Sequence, residues 1–320
     1  MQPPNYARER ESSLKAAVAQ RGPARFTRLR PIARHGTPYL YLSPTLFLII
    51  LLLVVPIFLV IKYSFYDNVI INKNPVWVGL DNFRLILGDR RFHIAVRNTL
   101  LFVTASVLGH SILGLAFAML LNNRVFSSKT TGVFRVIYVL PWMFTGAVIA
   151  ILWQMMLNPN GVVNYLLSVT GLSDAKIAWL SSRKHALGAV TFMNIWAGYP
   201  FFMVSILAGL QGISEDLYEA AAIDGANGVQ QFFRITIPQL RPILISLLTL
   251  DFVWTIFQFD LIWITTGGGP LYATETISTY IYKQGFSRFQ YSQASAAAVL
   301  VLIACSIIAI FYAKQQVARD

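Results

Sequence analysis

The chain has 320 residues, a net charge of +12 and an apolar content of 56%, but only 12% of its residues are charged. A soluble domain usually has about a quarter charged residues, so this composition argues against an ordinary soluble protein. Crossing a hydrocarbon layer takes about 20 apolar residues in a helix, and several stretches of the chain reach that length. The sequence therefore predicts an all-α, polytopic membrane protein.

Residues 1–37 form a basic arm with many Lys and Arg residues but only two acidic ones, Glu9 and Glu11. A cleavable signal peptide has an apolar region of about 7–15 residues and then a small-residue cleavage site. The apolar run after this arm is longer and reaches Lys62 without an Ala-x-Ala pattern, which predicts an uncleaved first helix. A pI of 9.9 also suggests nucleic acid, but most of the excess charge lies in this one juxtamembrane arm. No nucleic-acid partner is therefore expected.

Windows of sustained apolarity predict six membrane-spanning helices, near residues 40–62, 95–121, 133–156, 187–210, 242–266 and 291–313. Several prolines fall inside these spans, where neighbouring helices can satisfy the carbonyl groups that proline leaves free. Residues 38–315 are predicted to form one transmembrane domain, with a short tail at 316–320. The basic arm places the N-terminus in the cytoplasm by the positive-inside rule, and an even number of spans returns the C-terminus there.

The segments between the spans are too short to fold as a catalytic domain. No phosphate-binding Gly-x-x-x-x-Gly-Lys-Ser/Thr pattern is present, and the glycines from Gly267 to Gly269 precede Pro270, which predicts a tight turn after the fifth helix. The four histidines are scattered and have no Cys or carboxylate partner at ligand spacing. We therefore expect no catalytic residue, no metal site and no cofactor on this chain.

Residues 212–240 are a polar, alanine-rich interruption between two apolar spans. Ser214 is predicted to cap a short helix that ends at Gly225, and a second short helix is predicted through Phe232 before Pro238. Such a segment could lie on lipid head groups. Its acidic side chains would then face an anionic leaflet, so docking to a protein partner is favoured.

The motif in this segment reads Glu219-Ala220-Ala221, three residues, Gly225, nine residues and Ile235-x-Ile237-Pro238. It resembles the membrane subunits of binding-protein-dependent ABC importers, whose motif is Glu-Ala-Ala, three residues, Gly, nine residues and Ile-x-Leu-Pro. The change to Ile237 is conservative. The resemblance implies that this coupling loop (residues 212–240) binds an ATPase subunit through Leu217, Tyr218, Glu219, Ala220, Ala221, Asp224, Gly225, Ile235 and Pro238.

Segments 194–200, 216–226 and 267–270 look like the corresponding segments of maltose-type carbohydrate permeases. This resemblance covers nearly all of residues 38–315 and implies the compact six-helix form of the type I ABC importer fold. It also implies a second homologous permease, two ATPase subunits (or a homodimer) that hold ATP and Mg, and an extracytoplasmic solute-binding protein. The expected location is the plasma (inner) membrane of a bacterium.

Polar residues inside two spans are candidates for a solute path, because burying them in lipid is costly. Asn194, Ala197, Gly198 and Phe201 share one helix face, and Asp251, Trp254, Thr255 and Gln258 repeat the same spacing. Amides, carboxylates and aromatic rings suit a sugar, but polar packing between helices explains the same pattern, and spacing leaves both open. The resemblance implies a sugar path lined by Trp142, Gly146, Asn194, Ala197, Gly198, Phe201, Asp251, Thr255 and Gln258.

Asp260 falls opposite Asp251 on a helical wheel, which predicts that it faces another subunit. Two alternatives stay open. A glycerol-phosphate or polyol importer would share nearly all of these features, although Asp251 disfavours an anionic solute. A secondary transporter or channel would work without nucleotide, and would use Asp251 and Asp260 as proton or ion sites.

Overall fold

The computed structural model describes residues 41–123, 127–173 and 175–317, and the regular elements of these residues are helices. The predicted basic arm, 1–37, and the last residues of the predicted tail lie outside the described residues. The chain divides into two compact units, 1–58 and 59–320. In the first unit the described residues belong to one apolar helix whose side chains are almost all exposed.

The helices are numbered here in chain order. Their bounds are α1 Tyr41–Tyr63, α2 Asp81–Gly88, α3 Arg90–Asn122, α4 Ser128–Met143, α5 Gly146–Met156, α6 Val162–Val169, α7 Ala186–Gln211, α8 Glu215–Ile223, α9 Gly228–Ile256, α10 Asp260–Thr265, α11 Ile277–Tyr282 and α12 Tyr291–Val317.

Five of these helices (α1, α3, α7, α9 and α12) are long and apolar enough to cross a membrane singly. The apolar pair α4 and α5, bent by 98° relative to each other, makes a sixth span when the two are counted as one. The prediction of an all-α membrane protein is confirmed, but the third span is not the single helix expected at 133–156. The chain is extended at Phe144 and Thr145, and the Thr145 hydroxyl accepts a hydrogen bond from the backbone N–H of Val148 at 3.4 Å to begin α5.

The fifth span also differs from its predicted range of 242–266. α9 ends at Ile256, because the N–H groups of Phe257 and Gln258 bond to carbonyls only three residues back, at 3.2 Å each. The free carbonyl of Ile256 accepts a hydrogen bond from the Ser278 hydroxyl at 3.0 Å. Residues 257–259 therefore form a break between α9 and the short helix α10, and the predicted glycine turn follows α10.

α3 and α7 pack closely because glycines replace side chains at their contact. A Cβ on Gly114 would lie 2.4 Å from the Cβ of Phe202 and 3.0 Å from the backbone nitrogen of Met203. A Cβ on Gly198 would lie 2.3 Å from the His110 ring. Small residues of this kind let membrane helices approach closely and gain dispersion contacts.

Substituting Gly114 should therefore destabilise the bundle. Gly114→Ala forces a backbone shift against Phe202 and Met203, and we expect a loss of about 1–3 kcal/mol in the free energy of unfolding. Gly188→Ala on α7 is the matched control, because no atom lies within 4 Å of its added Cβ. Denaturation of the purified chain in detergent measures both variants. Equal stability of the two would contradict close packing at Gly114.

Candidate functional site

The coupling loop (residues 212–240) contains α8 and the first turns of α9. Ser214 occupies the N-cap position of α8, but its hydroxyl forms no cap hydrogen bond and instead donates to the Asp216 carboxylate at 3.2 Å. The predicted N-cap position of Ser214 is therefore confirmed, but its hydroxyl does not bond to the helix backbone. The predicted stop at Gly225 is correct: this residue has φ +80, and the N–H of Ala226 bonds back to the carbonyl of Ala221 at 2.8 Å.

The second half of the loop is continuous with the fifth span. Asn227 and Gln230 form a capping box at the start of α9, and the helix passes through a π-helical turn at Phe232–Thr236. Proline lacks an N–H, and a π-helical turn is one way in which a helix accommodates the missing bond. Pro238 thus lies within a helix, and the predicted second short helix continues into the fifth span instead of ending before Pro238.

Hydrogen bonds tie the two halves of the loop into one body. The hydroxyls of Tyr218 and Thr236 are 2.9 Å apart, and the Gln231 amide donates to the carbonyls of Tyr218 and Ala226 at 3.3 Å each. Apolar side chains remain exposed on the loop at Leu217, Ile223, Val229 and Phe233.

The predicted coupling residues differ in their exposure to solvent. Six of them are exposed, namely Leu217, Glu219, Ala220, Asp224, Gly225 and Pro238. The other three, Tyr218, Ala221 and Ile235, are half-buried.

The predicted path residues differ in their exposure. Asn194, Asp251 and Thr255 are buried (the buried set), Trp142 is exposed, and the others are half-buried, namely Gly146, Ala197, Gly198, Phe201 and Gln258. In the buried set, Asp251 is only 7% exposed and its carboxylate lies 2.7 Å from Nδ1 of His110. The second ring nitrogen of His110 lies 2.9 Å from the backbone carbonyl of Asn194. The Thr255 hydroxyl donates to the other Asp251 oxygen at 3.3 Å. α3, α7 and α9 are thereby joined through one side-chain network.

The partners of His110 fix the number of protons that the pair holds. The Asn194 carbonyl can only accept, so Nε2 of His110 carries a proton. The remaining contact holds one further proton between Nδ1 and the Asp251 carboxyl group, whichever of the two carries it. The pair is therefore electrically neutral, which suits its position inside an apolar bundle. Asp251, which the resemblance implies as a path residue, has its carboxylate buried against His110 and Thr255 in this structure.

Three aromatic side chains form a row across three helices, with the half-buried Phe201 between the exposed Trp142 and Trp254. The ring of Phe201 lies 5.8 Å from Trp142 and 5.5 Å from Trp254. Trp142 is 52% exposed and Trp254 is 54% exposed. Trp254 therefore lies on a different face from its helix neighbours Asp251 and Thr255, although spacing had grouped all three.

The half-buried Gly146 and Gln258 and the exposed Asp260 lie at the two breaks. The Gln258 amide donates to Asp260 at 3.0 Å, and a Cβ on Gly146 would collide with the Asp260 carboxylate. The break after α9 thus faces the break between α4 and α5. The helical wheel that placed Asp260 opposite Asp251 does not apply, because the helix ends before it. Ala197 is half-buried beside the apolar core of the bundle.

His110 was missed as a functional candidate. It lies 141 residues from Asp251 in the chain, so no local spacing could pair them. One signal was available, since a histidine within a predicted span needs a partner.

Comparisons with known proteins place the chain in a family. Residues 110–319 match the family described as "Binding-protein-dependent transport system inner membrane component". The chain belongs to this family, as the motif at Glu219 to Pro238 predicted. The family name and the apolar helices agree with a location in the inner membrane.

Two relatives cover most of the chain. The trehalose/maltose transport system permease protein MalF of Thermococcus litoralis is 35% identical over 277 residues, which is 86% of this chain and 92% of the relative. The sulfoquinovosyl glycerol transport system permease protein SmoG of Agrobacterium fabrum is 32% identical over 282 residues, which is 87% of this chain and 89% of the relative.

A solved structure gives the same class. A chain from a bacterial ABC transporter involved in the import of the acidic polysaccharide alginate superposes with a TM-score of 0.76 at 27% sequence identity. The match covers 89% of this chain and 96% of that chain. The predicted type I importer fold is thus confirmed.

The neutral His110–Asp251 pair predicts an asymmetry between two substitutions. His110→Leu leaves the buried Asp251 carboxylate with Thr255 as its remaining hydrogen-bond donor. This variant should lower the free energy of unfolding by about 3–5 kcal/mol. Asp251→Asn should cost about 1 kcal/mol, because a neutral amide can donate to Nδ1 while Nε2 still donates to Asn194. Thermal denaturation in detergent ranks the two variants.

The double variant His110→Leu/Asp251→Asn is the control for this pair. Because it removes the charge together with its partner, it should recover much of the stability that His110→Leu loses. If Asp251→Asn lowers the stability as much as His110→Leu, the pair does not hold one proton on Nε2 and one between Nδ1 and Asp251.

Proposed function

We propose that this chain forms part of the translocation path for a carbohydrate in an ATP-driven importer, and that it switches its opening when partner ATPase subunits move the coupling loop (residues 212–240). The observation that carries this proposal is the placement of that loop. It forms a hydrogen-bonded body with exposed apolar side chains at one end of α7 and α9, and α9 leads directly from it to the break at 257–259.

The aromatic row and the two facing breaks support a sugar path. Indole and phenyl faces suit the C–H faces of a sugar ring, and the paired side chains of Gln258 and Asp260 offer acceptors and donors to its hydroxyls. Trp142, Phe201, Trp254, Gln258 and Asp260 are accordingly proposed to contact the solute. The relatives named for trehalose/maltose and sulfoquinovosyl glycerol transport favour the same class of solute.

The buried set, together with the half-buried Gly198, is proposed to act on the path without contacting the solute. Asn194, Gly198, Asp251 and Thr255 hold α3, α7 and α9 together around His110. A neutral pair also removes the repulsion that a free Asp251 would exert on an anionic solute. Asp260 is then the carboxylate that would repel an anionic solute, so it favours a neutral sugar over a glycerol phosphate.

The partners follow from the family. We propose a second homologous permease, two ATPase subunits that carry ATP and Mg, and an extracytoplasmic binding protein that selects the solute. A related alginate transporter chain was solved in a complex with an alginate-bound periplasmic protein. The coupling loop is proposed to face the cytoplasm, which agrees with a cytoplasmic basic arm.

Reconstitution separates this proposal from a secondary transporter. The chain, its partner permease, the ATPase subunits and the binding protein are placed in proteoliposomes, and uptake of radiolabelled maltose and trehalose is measured. Uptake should require ATP and all components. If a proton gradient drives uptake of either sugar by the chain alone, without nucleotide, the importer proposal fails. Asp251 and Asp260 then become candidates for proton sites.

Coupling is tested by Glu219→Lys. Reversing this exposed charge should weaken the docking of an ATPase subunit and lower solute-stimulated ATP hydrolysis at least about tenfold, while the chain still inserts and binds its partner permease. Lys73→Glu is the matched control, because Lys73 is exposed near the opposite end of the bundle. Normal copurification of the ATPase with Glu219→Lys, together with normal turnover, would contradict the proposed interface.

A further inference from the structure

Four aromatic side chains are in contact at the end of the bundle opposite the coupling loop. Phe259 lies 5.5 Å from Trp263 with nearly parallel rings and 5.0 Å from Tyr282. Tyr282 lies 4.6 Å from Trp263 and 5.1 Å from Phe286, the latter again in a stacked arrangement. These four residues are called the outer aromatic ladder. They come from two separate segments, residues 257–265 and 277–287.

The ladder adjoins the polar pair of the proposed path. Phe259 lies between Gln258 and Asp260 in the sequence, and the side chains of those two residues are bonded to each other at 3.0 Å. A solute that leaves the ladder at Phe259 therefore meets the half-buried Gln258 amide and the exposed Asp260 carboxylate next. Aromatic faces and polar side chains follow one another along the same surface.

Hydrogen bonds hold the second half of the ladder in place. The Tyr280 hydroxyl donates to Asp89 at 2.9 Å, and Lys283 donates to the buried Glu275 at 2.7 Å. Burial raises the pKa of Tyr280, and its hydrogen bond to Asp89 raises it further, so this donor stays protonated. The segment that carries Tyr282 is thus fixed on both sides, which preserves the spacing of the rings.

The chemistry of the ladder fits a carbohydrate better than a lipid. Phe286 is 64% exposed, and the Tyr282 hydroxyl has no hydrogen-bond partner among the described residues. Membrane-interface belts rely on Trp and Tyr, whose polar groups meet the head groups, whereas half of this ladder is Phe. A sugar ring has apolar C–H faces for the aromatic rings and hydroxyls for Tyr282, Gln258 and Asp260. An acyl chain satisfies none of those polar groups.

We propose that the outer aromatic ladder is a carbohydrate-binding subsite that holds the solute after the binding protein releases it and before it reaches Gln258 and Asp260. Four adjoining rings offer more than one stacking position, so the subsite favours an oligosaccharide over a single sugar. This inference rests on the proposed function, because it requires a carbohydrate to enter from this end of the bundle.

The test uses the complete transporter in proteoliposomes, at saturating loaded binding protein, with radiolabelled trehalose, maltose and maltotriose as probes. Tyr282→Leu/Phe286→Leu keeps apolar volume but removes two ring faces. It should lower the initial rate of uptake at least about fivefold, most strongly for maltotriose. Phe286→Trp keeps a ring face and should retain the rate. Phe192→Leu is the control, because Phe192 is similarly exposed on α7, away from the ladder.

The outcomes separate this inference from the function on which it rests. If the unaltered transporter takes up none of the probes, the proposed function and this subsite both fail. If it takes up a probe and the double leucine variant is as fast, the subsite alone is refuted. Copurification of the partner permease is measured in parallel, and its loss in the leucine variant would assign the ladder to a subunit contact instead.

Discussion

The close contact of α3 and α7 is the constraint on which the described bundle depends. It brings His110 against the backbone of Asn194, where the absence of a side chain at Gly198 leaves room for the imidazole ring. From that position His110 reaches Asp251 on α9. A charged group in an apolar environment must be paired or neutralised. One ring therefore satisfies a buried carboxylate and joins three spans at once.

This arrangement gives different roles to the polar residues that spacing had grouped on one face of α7 and one face of α9. Spacing grouped Asp251, Trp254, Thr255 and Gln258 on one helix face, yet the structure buries the first and third and exposes the second. Gln258 lies beyond the end of the helix. The buried polar groups hold helices together, and the exposed Trp254 and the half-buried Gln258 are the side chains proposed to meet a solute.

Two breaks in the spans create the surface that is proposed to meet the sugar. Polar backbone away from a helix is tolerated at membrane depth only where protein or water satisfies it. Here Thr145 caps the start of α5, and Ser278 satisfies the end of α9. Gly146 brings the first break against Asp260 of the second. The break lets Gln258 and Asp260, two residues apart, bond side by side, whereas residues two apart on a continuous helix do not face each other.

The sequence by itself determined the all-α membrane class, the stop at Gly225 and the family, because apolar length, glycine punctuation and the spaced motif at Glu219 to Pro238 are local signals. Only the tertiary structure decided the pairing of His110 with Asp251 and the facing of Gly146 and Asp260. These contacts join residues far apart in the chain, and helical periodicity cannot continue through a break.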